Sequence, residues 1–89
     1  MPILSIVIPS RNTETYIEQA LDSIISQELY KRDDIEIIVV DDVSSDNTIN
    51  VVNHSIYRDR IKIIQNLDNV GLGESRNIGV RHATGHYIA

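Results

Sequence analysis

The sequence predicts an α/β fold in which helices cover both faces of a mostly parallel sheet of about four strands. Short runs of β-branched apolar residues alternate along its 89 residues with stretches of helical periodicity. That alternation is typical of a parallel sheet with crossover helices. Its apolar residues are mostly Ile and Val, with no Phe and no Trp, which favours a parallel sheet over an aromatic-rich sandwich. The predicted order of elements is β-α-β-α-β-α-β.

The first strand and helix are predicted over residues 3–9 and about 14–27. The run ILSIVIP reads as a buried strand that stops at Pro9, because proline cannot donate to a β-ladder. Thr15 and Glu18 have the spacing of a capping box, and Asn12 or Thr13 are alternative caps. Apolar residues then recur at the spacing of one helix face, namely Ile17, Ala20, Leu21, Ile24 and Ile25. A charged connection follows over residues 31–34.

The second strand ends in two carboxylates. The run IEIIVV, residues 35–40, is almost entirely β-branched and apolar, which predicts a strand buried on both faces. Asp41 and Asp42 stand at its carboxyl end. The next residues favour helix starts, and a second helix is predicted over about residues 46–57. Its inward face is formed by Ile49, Val52 and Ile56.

The third strand is short, and a glycine-containing loop follows it. Residues 61–65, IKIIQ, predict a strand with Lys62 facing out, which suits an edge of the sheet. The turn-rich loop covers residues 66–73, and a third helix is predicted over about residues 74–83. Gly85 would end that helix in the left-handed C′ position. A fourth strand begins at about residue 86.

Composition excludes several classes of protein. The net charge is −5 and the basic residues are scattered, so no basic stripe indicates a nucleic-acid partner. Without Cys there is no disulfide framework and no Cys-ligated metal. No run approaches a membrane span of about 18 apolar residues, and the N-terminus lacks signal-peptide features, so a cytoplasmic location is predicted. Three dispersed histidines are predicted at the surface, namely His54, His82 and His86. Three acidic residues are predicted to form a solvated helix face, namely Glu14, Glu18 and Asp22.

Three predicted strand ends deliver polar loops to one edge of the sheet, where open α/β sheets bind ligands. These loops are residues 9–12, 41–44 and 66–73. The two carboxylates have a structural alternative, which is that they cap the second helix or accept hydrogen bonds from loop N–H groups. Arg76 opposes the dipole at the start of its helix, so we expect it to have an anionic partner, either Asp41, Asp42 or a ligand phosphate.

Four stretches of the chain together resemble the N-terminal, nucleotide-binding part of family 2 glycosyltransferases, which have the GT-A fold. They are SIVIPSRN, LDSIISQ, EIIVVDDVSSDNT and NVGLGESRNIGVRHATGHYIA. They occur in the order and at the spacing of that family, and they cover nearly the whole chain. The resemblance implies that residues 1–89 form the nucleotide-sugar-binding half of a three-layer α/β/α, Rossmann-like domain.

The resemblance also implies which residues contact the donor. Asp42 would hydrogen-bond the base, typically uracil, while Asp41 supports the loop with Ser44 nearby. Uracil offers one N–H between two carbonyls, and a carboxylate facing that N–H makes a charge-assisted hydrogen bond. The turn along the nucleoside would consist of Pro9, Ser10, Arg11 and Asn12. The residues near the ribose and diphosphate would be Asn69, Gly71, Arg76 and Asn77.

Three positions depart from the family pattern. Arg11 stands where Tyr is frequent, Val43 where Gly is usual, and Ser75 where Ala precedes the Arg-Asn pair. The change at residue 75 replaces one small side chain by another, whereas Val43 is expected to alter the turn.

Family members hold a divalent metal, Mn²⁺ or Mg²⁺, with an Asp-x-Asp motif after the fourth strand, where the metal bridges the diphosphate. This sequence contains no such motif, and its chain stops as the fourth strand begins. We therefore expect a fragment of a longer domain that has no catalytic residue and no metal ligand and transfers no sugar. The predicted partner is a nucleotide-sugar, UDP-linked, and the open edge of the fourth strand predicts a homo-oligomer.

Two other functions remain open from the sequence. One is a non-catalytic binding or assembly module that keeps the sheet. The other is a receiver-like signalling domain, which needs a further Asp after a central strand and a late Lys. The third strand is followed by Asn66 and Asp68, and no Lys follows Lys62.

Overall fold

The computed structural model describes residues 2–26 and 34–89. Within these residues the strands are β1, Leu4–Ser10; β2, Ile35–Asp41; β3, Ile61–Gln65; and β4, Tyr87–Ile88. The helices are α1, Ile17–Ile25; α2, Thr48–Asn53; and α3, Leu72–His82, with a 3-10 turn at Arg58–Arg60 before β3. The predicted alternation of strands and helices is confirmed. Gln27 and residues 31–33, where the sequence predicts the end of the first helix and a charged connection, lie outside the described residues.

The sheet has the order β3-β2-β1-β4, and every strand pair in it is parallel. β1 and β2 pair along their full lengths, from Leu4 opposite Ile35 to Ser10 opposite Asp41. β3 occupies one edge, as predicted. β4 occupies the other, where Leu4 lies opposite Tyr87 and Ser5 opposite Ile88, and Ala89 continues the ladder by bonding to the backbone of Ser5 and Val7. Successive strands therefore proceed in one direction from β1 to β3, and the chain then returns to the other side of β1.

Helices pack on both faces of the sheet and give the predicted three-layer α/β/α architecture. On one face, α1 and α2 bury a larger core against alternate residues of the strands; its buried members are Ile17, Leu21, Ile35, Ile37, Val39, Val52 and Ile61. On the other face, α3 covers a smaller core of Val7, Ile38 and Val40. β2 contributes to both cores, which explains why its sequence is apolar at nearly every position.

Close approach of α3 to the sheet depends on a glycine. A Cβ atom built on Gly79 would lie 2.3 Å from Cγ1 of Val7 and 3.1 Å from Cγ2 of Val40. Both valines are buried and belong to the smaller core. The helix backbone thus lies directly on the sheet at this position.

Two local predictions about helix ends were wrong. The capping box of Thr15 and Glu18 is absent, because the N–H groups of Tyr16 and Ile17 both bond to the carbonyl oxygen of Thr13, at 2.9 and 2.8 Å, and no side chain caps α1. Gly85 does not have a positive φ. It allows a close backbone contact instead, since a Cβ there would lie 2.8 Å from the backbone nitrogen of Ser5.

The second helix is shorter than predicted. It ends at Asn53, and Ile56 is 83% exposed rather than on the inward face. Two acidic residues of α1 bond to the segment after it: Glu18 accepts a hydrogen bond from the Ser55 hydroxyl at 3.0 Å, and Asp22 accepts one from the Tyr57 hydroxyl at 2.6 Å. The face predicted to be merely solvated therefore fixes the chain between α2 and β3. His54, His82 and His86 are exposed, as predicted.

At the amino ends of the strands, Glu36 connects four segments. Its carboxylate accepts hydrogen bonds from the Ser5 hydroxyl at 2.7 Å, the Thr84 N–H at 2.9 Å and the Lys62 ammonium at 2.9 Å. Burial opposes ionisation of this carboxyl group, but these donors outweigh it and lower the pKa of Glu36 from 4.5 to about 2.

The pKa of Glu36 predicts an acid-dependent loss of stability. A group whose pKa is depressed on folding stabilises the folded state above its unfolded pKa, so the contribution of Glu36 is complete above pH 4.5 and is lost as the pH falls towards 2. We expect Glu36→Gln to be less stable than the unaltered chain at pH 7 and to lose less stability between pH 4.5 and 2. Thermal unfolding monitored by circular dichroism at several pH values measures this difference. The exposed Glu14→Gln is the control, and equal pH profiles for the two variants would contradict the assignment.

Candidate functional site

The three polar loops meet at the carboxyl edge of the sheet, as the sequence predicts. β1 and β2 end in register at Ser10 and Asp41, and the ladder continues beyond them, because the Asp42 N–H donates to the Ser10 carbonyl at 2.8 Å. On the other side, the Asn66 N–H donates to the Asp41 carbonyl at 2.8 Å. Three consecutive strand ends therefore hold their loops side by side.

The loop after β1 is tied to the loop after β2 by Asn12. The side-chain oxygen of Asn12 accepts hydrogen bonds from the backbone N–H groups of Ser45 at 2.8 Å and Asp46 at 3.3 Å. In return, the Ser44 hydroxyl oxygen accepts the N–H of Asn12 at 2.9 Å. Asn12 has a φ of 55°, a left-handed conformation that Asn tolerates better than most residues. Its amide oxygen is thus already engaged within the protein.

A second set of bonds reinforces this tie. The Thr13 N–H donates to the Thr48 hydroxyl oxygen at 2.8 Å, and the Glu14 N–H donates to the Asp46 carboxylate at 3.2 Å. Asp46 also accepts hydrogen bonds from the backbone and hydroxyl of Thr48. The polar residues that the sequence marks as a helix start therefore serve two loops at once.

Asp41 is buried and holds its own turn. Its carboxylate accepts hydrogen bonds from the backbone N–H of Ser44 at 3.1 Å and from the Ser44 hydroxyl. Asp41 therefore fixes the turn that follows β2, and its carboxylate oxygens are occupied by that turn.

Asp42 is completely buried and holds the loop after β3. Its Oδ1 accepts hydrogen bonds from the Asn66 side-chain amide at 3.0 Å and the Val70 N–H at 2.8 Å, while Oδ2 accepts the Gly71 N–H at 2.8 Å. The bond from Val70 lowers the pKa of Asp42 most; burial opposes it, and Asn66, Gly71 and the charge of Arg11 add to the lowering. Asp42 therefore binds loop N–H groups, which is the structural alternative that the sequence left open for this carboxylate. Its contact with a base stays a prediction.

The loop held by Asp42 leads directly into α3. Gly71 has a φ of 89° at the residue before the helix, a conformation that favours glycine and that turns its N–H towards Asp42. The carbonyl of Gly71 then accepts the Ser75 N–H at 3.0 Å in the first turn. The orientation of the start of α3 is therefore coupled to the end of β2.

The remaining predicted site residues surround this frame. Ser10 is buried and its hydroxyl bonds to that of Thr13 at 3.0 Å, and Pro9 and Ser44 are partly buried. The exposed members are Arg11, Asn12, Asn69, Gly71, Arg76 and Asn77. Within the described residues, Arg76 forms no ion pair with Asp41 or Asp42, so the predicted pairing with these carboxylates is wrong. A ligand phosphate stays the predicted partner of Arg76.

The described residues do not fit a metal ion. Across residues 2–26 and 34–89, no group of three or more His, Asp or Glu side chains could hold one. Asp41 and Asp42 already accept hydrogen bonds from backbone and side-chain donors on both oxygens.

Val43 has a φ of 60°, which is unfavourable for a β-branched residue. This is the position at which Gly is usual in the family that the sequence resembles. Val43 is also 41% exposed, so its side chain contributes little packing. The turn after β2 is therefore left-handed at residue 43 even though that residue is a valine.

Val43→Gly is therefore expected to stabilise the chain by about 0.5–1 kcal/mol, because removing the Cβ relieves roughly 1–2 kcal/mol of left-handed strain and costs some unfolded-state entropy. Val43→Ala keeps the strained Cβ and is expected to gain less. Urea unfolding of the two variants measures the difference. If Ala stabilised the chain as much as Gly, backbone strain at residue 43 would not be the cause.

Sequence reasoning missed two residues of this frame. Asn66 bridges Asp42 and Ser75, with its side-chain nitrogen 3.0 Å from Asp42 Oδ1 and 3.0 Å from the Ser75 hydroxyl oxygen. A signal was available for Asn66, since it follows β3 as Asp42 follows β2. Ser75 lies on a helix that only tertiary folding brings to this edge, so its contact was not visible in the sequence.

None of the helices within the described residues is long and apolar enough to cross a membrane.

Comparison with known proteins identifies close relatives. A family model described as glycosyl transferase family 2 matches residues 5–89. An uncharacterised glycosyltransferase of Haemophilus influenzae is 38% identical over 89 residues, which cover 99% of this chain and 34% of that protein. This chain therefore spans about a third of the length of that relative.

Two solved structures share the fold. Residues 1–349 of Staphylococcus aureus TarS in complex with UDP match with a TM-score of 0.88 and 32% identity, over 97% of this chain and 25% of that one. The mannosyltransferase PcManGT of Pyrobaculum calidifontis, in complex with GDP-Man and Mn²⁺, matches with a TM-score of 0.84 and 31% identity, over 93% of this chain and 25% of that one.

Proposed function

Because this chain belongs to glycosyl transferase family 2, we propose that it forms the donor-binding part of an enzyme that transfers a sugar from a nucleotide-sugar to an acceptor. The observation that carries the proposal is the arrangement at the carboxyl edge of the sheet. There, buried Asp42 is bonded to the loop that contains Asn69 and Gly71, and this loop leads into the helix that presents Arg76 and Asn77 to solvent.

Asp42 is the proposed reader of the base. Its carboxylate has about four lone-pair positions, and three of them accept the Asn66, Val70 and Gly71 donors. The fourth, on Oδ2, suits the single N–H of uracil. Because Asp42 is buried beneath the 66–71 loop, a base reaches it only when that loop shifts outward.

The phosphate groups are assigned to the exposed cationic residues. Arg76 is the fifth residue of α3, is exposed and has no ion pair among the described residues, so its charge is available to an anion. Asn69 and Gly71 precede α3, and Asn77 follows Arg76 on that helix. Arg11 lies on the opposite loop, and its turn, Pro9 to Asn12, would follow the nucleoside.

UDP is the proposed nucleotide, and GDP is the competitor that the comparisons raise. The TarS structure contains UDP, whereas the mannosyltransferase structure contains GDP-Man and Mn²⁺. We propose that the enzyme to which this donor-binding part belongs uses Mn²⁺ or Mg²⁺ in the cytoplasm. We also propose that the 89-residue chain binds the donor without metal and transfers no sugar, since the described residues offer no group of three or more His, Asp or Glu side chains that could hold a cation.

Isothermal titration with UDP and GDP, each with and without Mn²⁺, tests the proposal. We expect UDP to bind more tightly than GDP, with an affinity that Mn²⁺ does not change. Arg76→Ala should weaken UDP binding about tenfold, the loss typical of one hydrogen bond to a charged group, and leave uridine binding unchanged.

Arg81→Ala is the matched control, because Arg81 lies on the same helix but bonds to Glu74 at 3.0 Å. It should leave UDP binding within about twofold of the unaltered chain. The absence of UDP binding, or equal losses for the two arginine variants, would refute the proposed donor site. Sugar transfer by the 89-residue chain would refute the proposed lack of activity.

A second candidate is a non-catalytic assembly module, which the edge strand favours. β4 lies at an open edge of the described sheet, and its two residues are exposed apolar side chains, Tyr87 and Ile88. Such an edge can pair with another copy of the chain. Sedimentation equilibrium distinguishes the two functions: a dimer that binds no UDP supports assembly, whereas a monomer that binds UDP excludes it.

A further inference from the structure

Asn66 is partly buried and lies between the end of β2 and the first turn of α3. One nitrogen of its side chain lies 3.0 Å from Asp42 Oδ1 and 3.0 Å from the Ser75 hydroxyl oxygen. Asp42 and Ser75 are both fully buried. The backbone of Asn66 is fixed independently, because its N–H continues the ladder to the Asp41 carbonyl at 2.8 Å.

Both hydrogens of the Asn66 amide therefore have acceptors. A primary amide donates two hydrogen bonds in fixed directions, so its two acceptors determine its rotation. Oδ1 of Asp42 receives the amide together with the Val70 N–H, and Oδ2 receives only the Gly71 N–H. Asn66 thus holds the carboxylate so that its unoccupied lone pair belongs to Oδ2.

Ser75 links this arrangement to the opposite end of the site. Its hydroxyl accepts a hydrogen bond from Asn66, its backbone N–H donates to the Gly71 carbonyl, and the next residue along the chain is Arg76. A change in the position of the Asn66 amide therefore affects the orientation of the base reader and the helix turn that presents the arginine.

We propose that Asn66 and Ser75 act as a positioning pair that orients the carboxylate of Asp42 and so determines the preference of the site for uracil over other bases. The proposal rests on the proposed nucleotide site. It assigns base selectivity to two residues that do not themselves touch the base. Ser75 stands where Ala is usual in the family, so here the amide gains a second acceptor that an alanine would not provide.

Binding of UDP and ADP by the variants Asn66→Ala and Ser75→Ala tests the pair. ADP shares the diphosphate and ribose of UDP but not its base. Asn66→Ala should weaken UDP binding about tenfold, the effect of one hydrogen bond to a charged group, and change ADP binding by less than about twofold. Ser75→Ala should reduce the UDP-to-ADP preference in the same direction, by about threefold.

The matched controls are Asn50→Ala on the exposed face of α2 and Ser23→Ala on α1, which should leave both affinities unchanged. Equal losses of UDP and ADP affinity would overturn the proposal, because they would assign Asn66 a general role in supporting the loop.

A second measurement does not depend on ligand. The pKa of Asp42, followed by ¹³C NMR of its carboxyl carbon, should rise in Asn66→Ala and not in Asn50→Ala. If the unaltered chain binds no UDP, the proposed function fails, and this titration still decides whether Asn66 orients Asp42. An unchanged pKa overturns the positioning pair. If Asn66→Ala does not fold, the same two measurements on Ser75→Ala, the UDP-to-ADP preference and the pKa of Asp42, decide whether the pair orients Asp42.

Discussion

Asp42→Ala is expected to lower the melting temperature of this chain by more than about 10 °C and to abolish UDP binding. The variant leaves the Asn66 amide and the N–H groups of Val70 and Gly71 without their shared acceptor, and each lost bond was made to an ionised group. The loop after β3 then separates from β2. Thermal unfolding by circular dichroism and titration with UDP measure the two effects.

Asp42→Asn refines the test, and Asp68→Ala controls it. An amide oxygen at the Oδ1 position can still accept from Asn66 and Val70, but the amide nitrogen then faces the Gly71 N–H, so an intermediate loss of stability is expected. Asp68 lies exposed in the same loop, and its replacement should change the melting temperature by less than about 2 °C. Similar stability of Asp42→Ala and Asp68→Ala would show that the carboxylate does not hold the loop.

The pKa of Asp42 gives this prediction a pH dependence. Because the pKa is lowered on folding, the carboxylate stabilises the folded chain above the unfolded value of 3.8 and loses that contribution as the pH falls below it. Asp42→Asn should lack this component of the acid sensitivity.

Gly79→Ala is expected to destabilise the chain by about 2 kcal/mol, because the new methyl group overlaps Val7 and must push α3 away from the sheet. Alanine is the better helix former by about 1 kcal/mol, but overpacking of a buried contact outweighs that gain. Displacement of α3 also moves Arg76, so UDP affinity should fall with stability. Chemical denaturation and UDP titration of the variant measure both effects.

Gly73→Ala is the matched control on the same helix. A Cβ at Gly73 meets nothing within 4 Å, so the substitution should be neutral or stabilise the chain by up to about 1 kcal/mol. A Gly79→Ala variant as stable as Gly73→Ala would mean that α3 does not lie as close to β1 as the structure shows.

The fold followed from the sequence because its strongest signals are local. The apolar run ending at Asp41 had one plausible environment, a strand covered on both faces, and both cores do contain β2. The meeting of the three loops was equally predictable, since parallel strands place their carboxyl ends at one edge. Neither conclusion required knowledge of which side chains touch.

Most of the contacts that were missed join distant segments. The periodicity of α2 continues to Ile56, yet the helix ends at Asn53 and the chain after it is bonded to Glu18 and Asp22 of α1. The capping pattern at Thr15 is an exception, because it was overridden locally by the carbonyl of Thr13. The role of Asn66 depends on α3 bringing Ser75 to the sheet. Such partners are set by packing, and a single sequence does not display them.

The sheet order also has a consequence for the folding of the chain. β1, β2 and β3 are consecutive neighbours, so they can assemble through comparatively short connections, whereas β4 must find β1 across nearly the whole sequence. Closing that longest loop carries the largest entropic cost, and in the described residues it returns a short pairing between residues 87–89 and residues 3–7. We therefore expect docking of α3 and β4 to be the last step of folding and the first to open. The base end of the proposed site would form early, and its phosphate end would form only when that final step is complete.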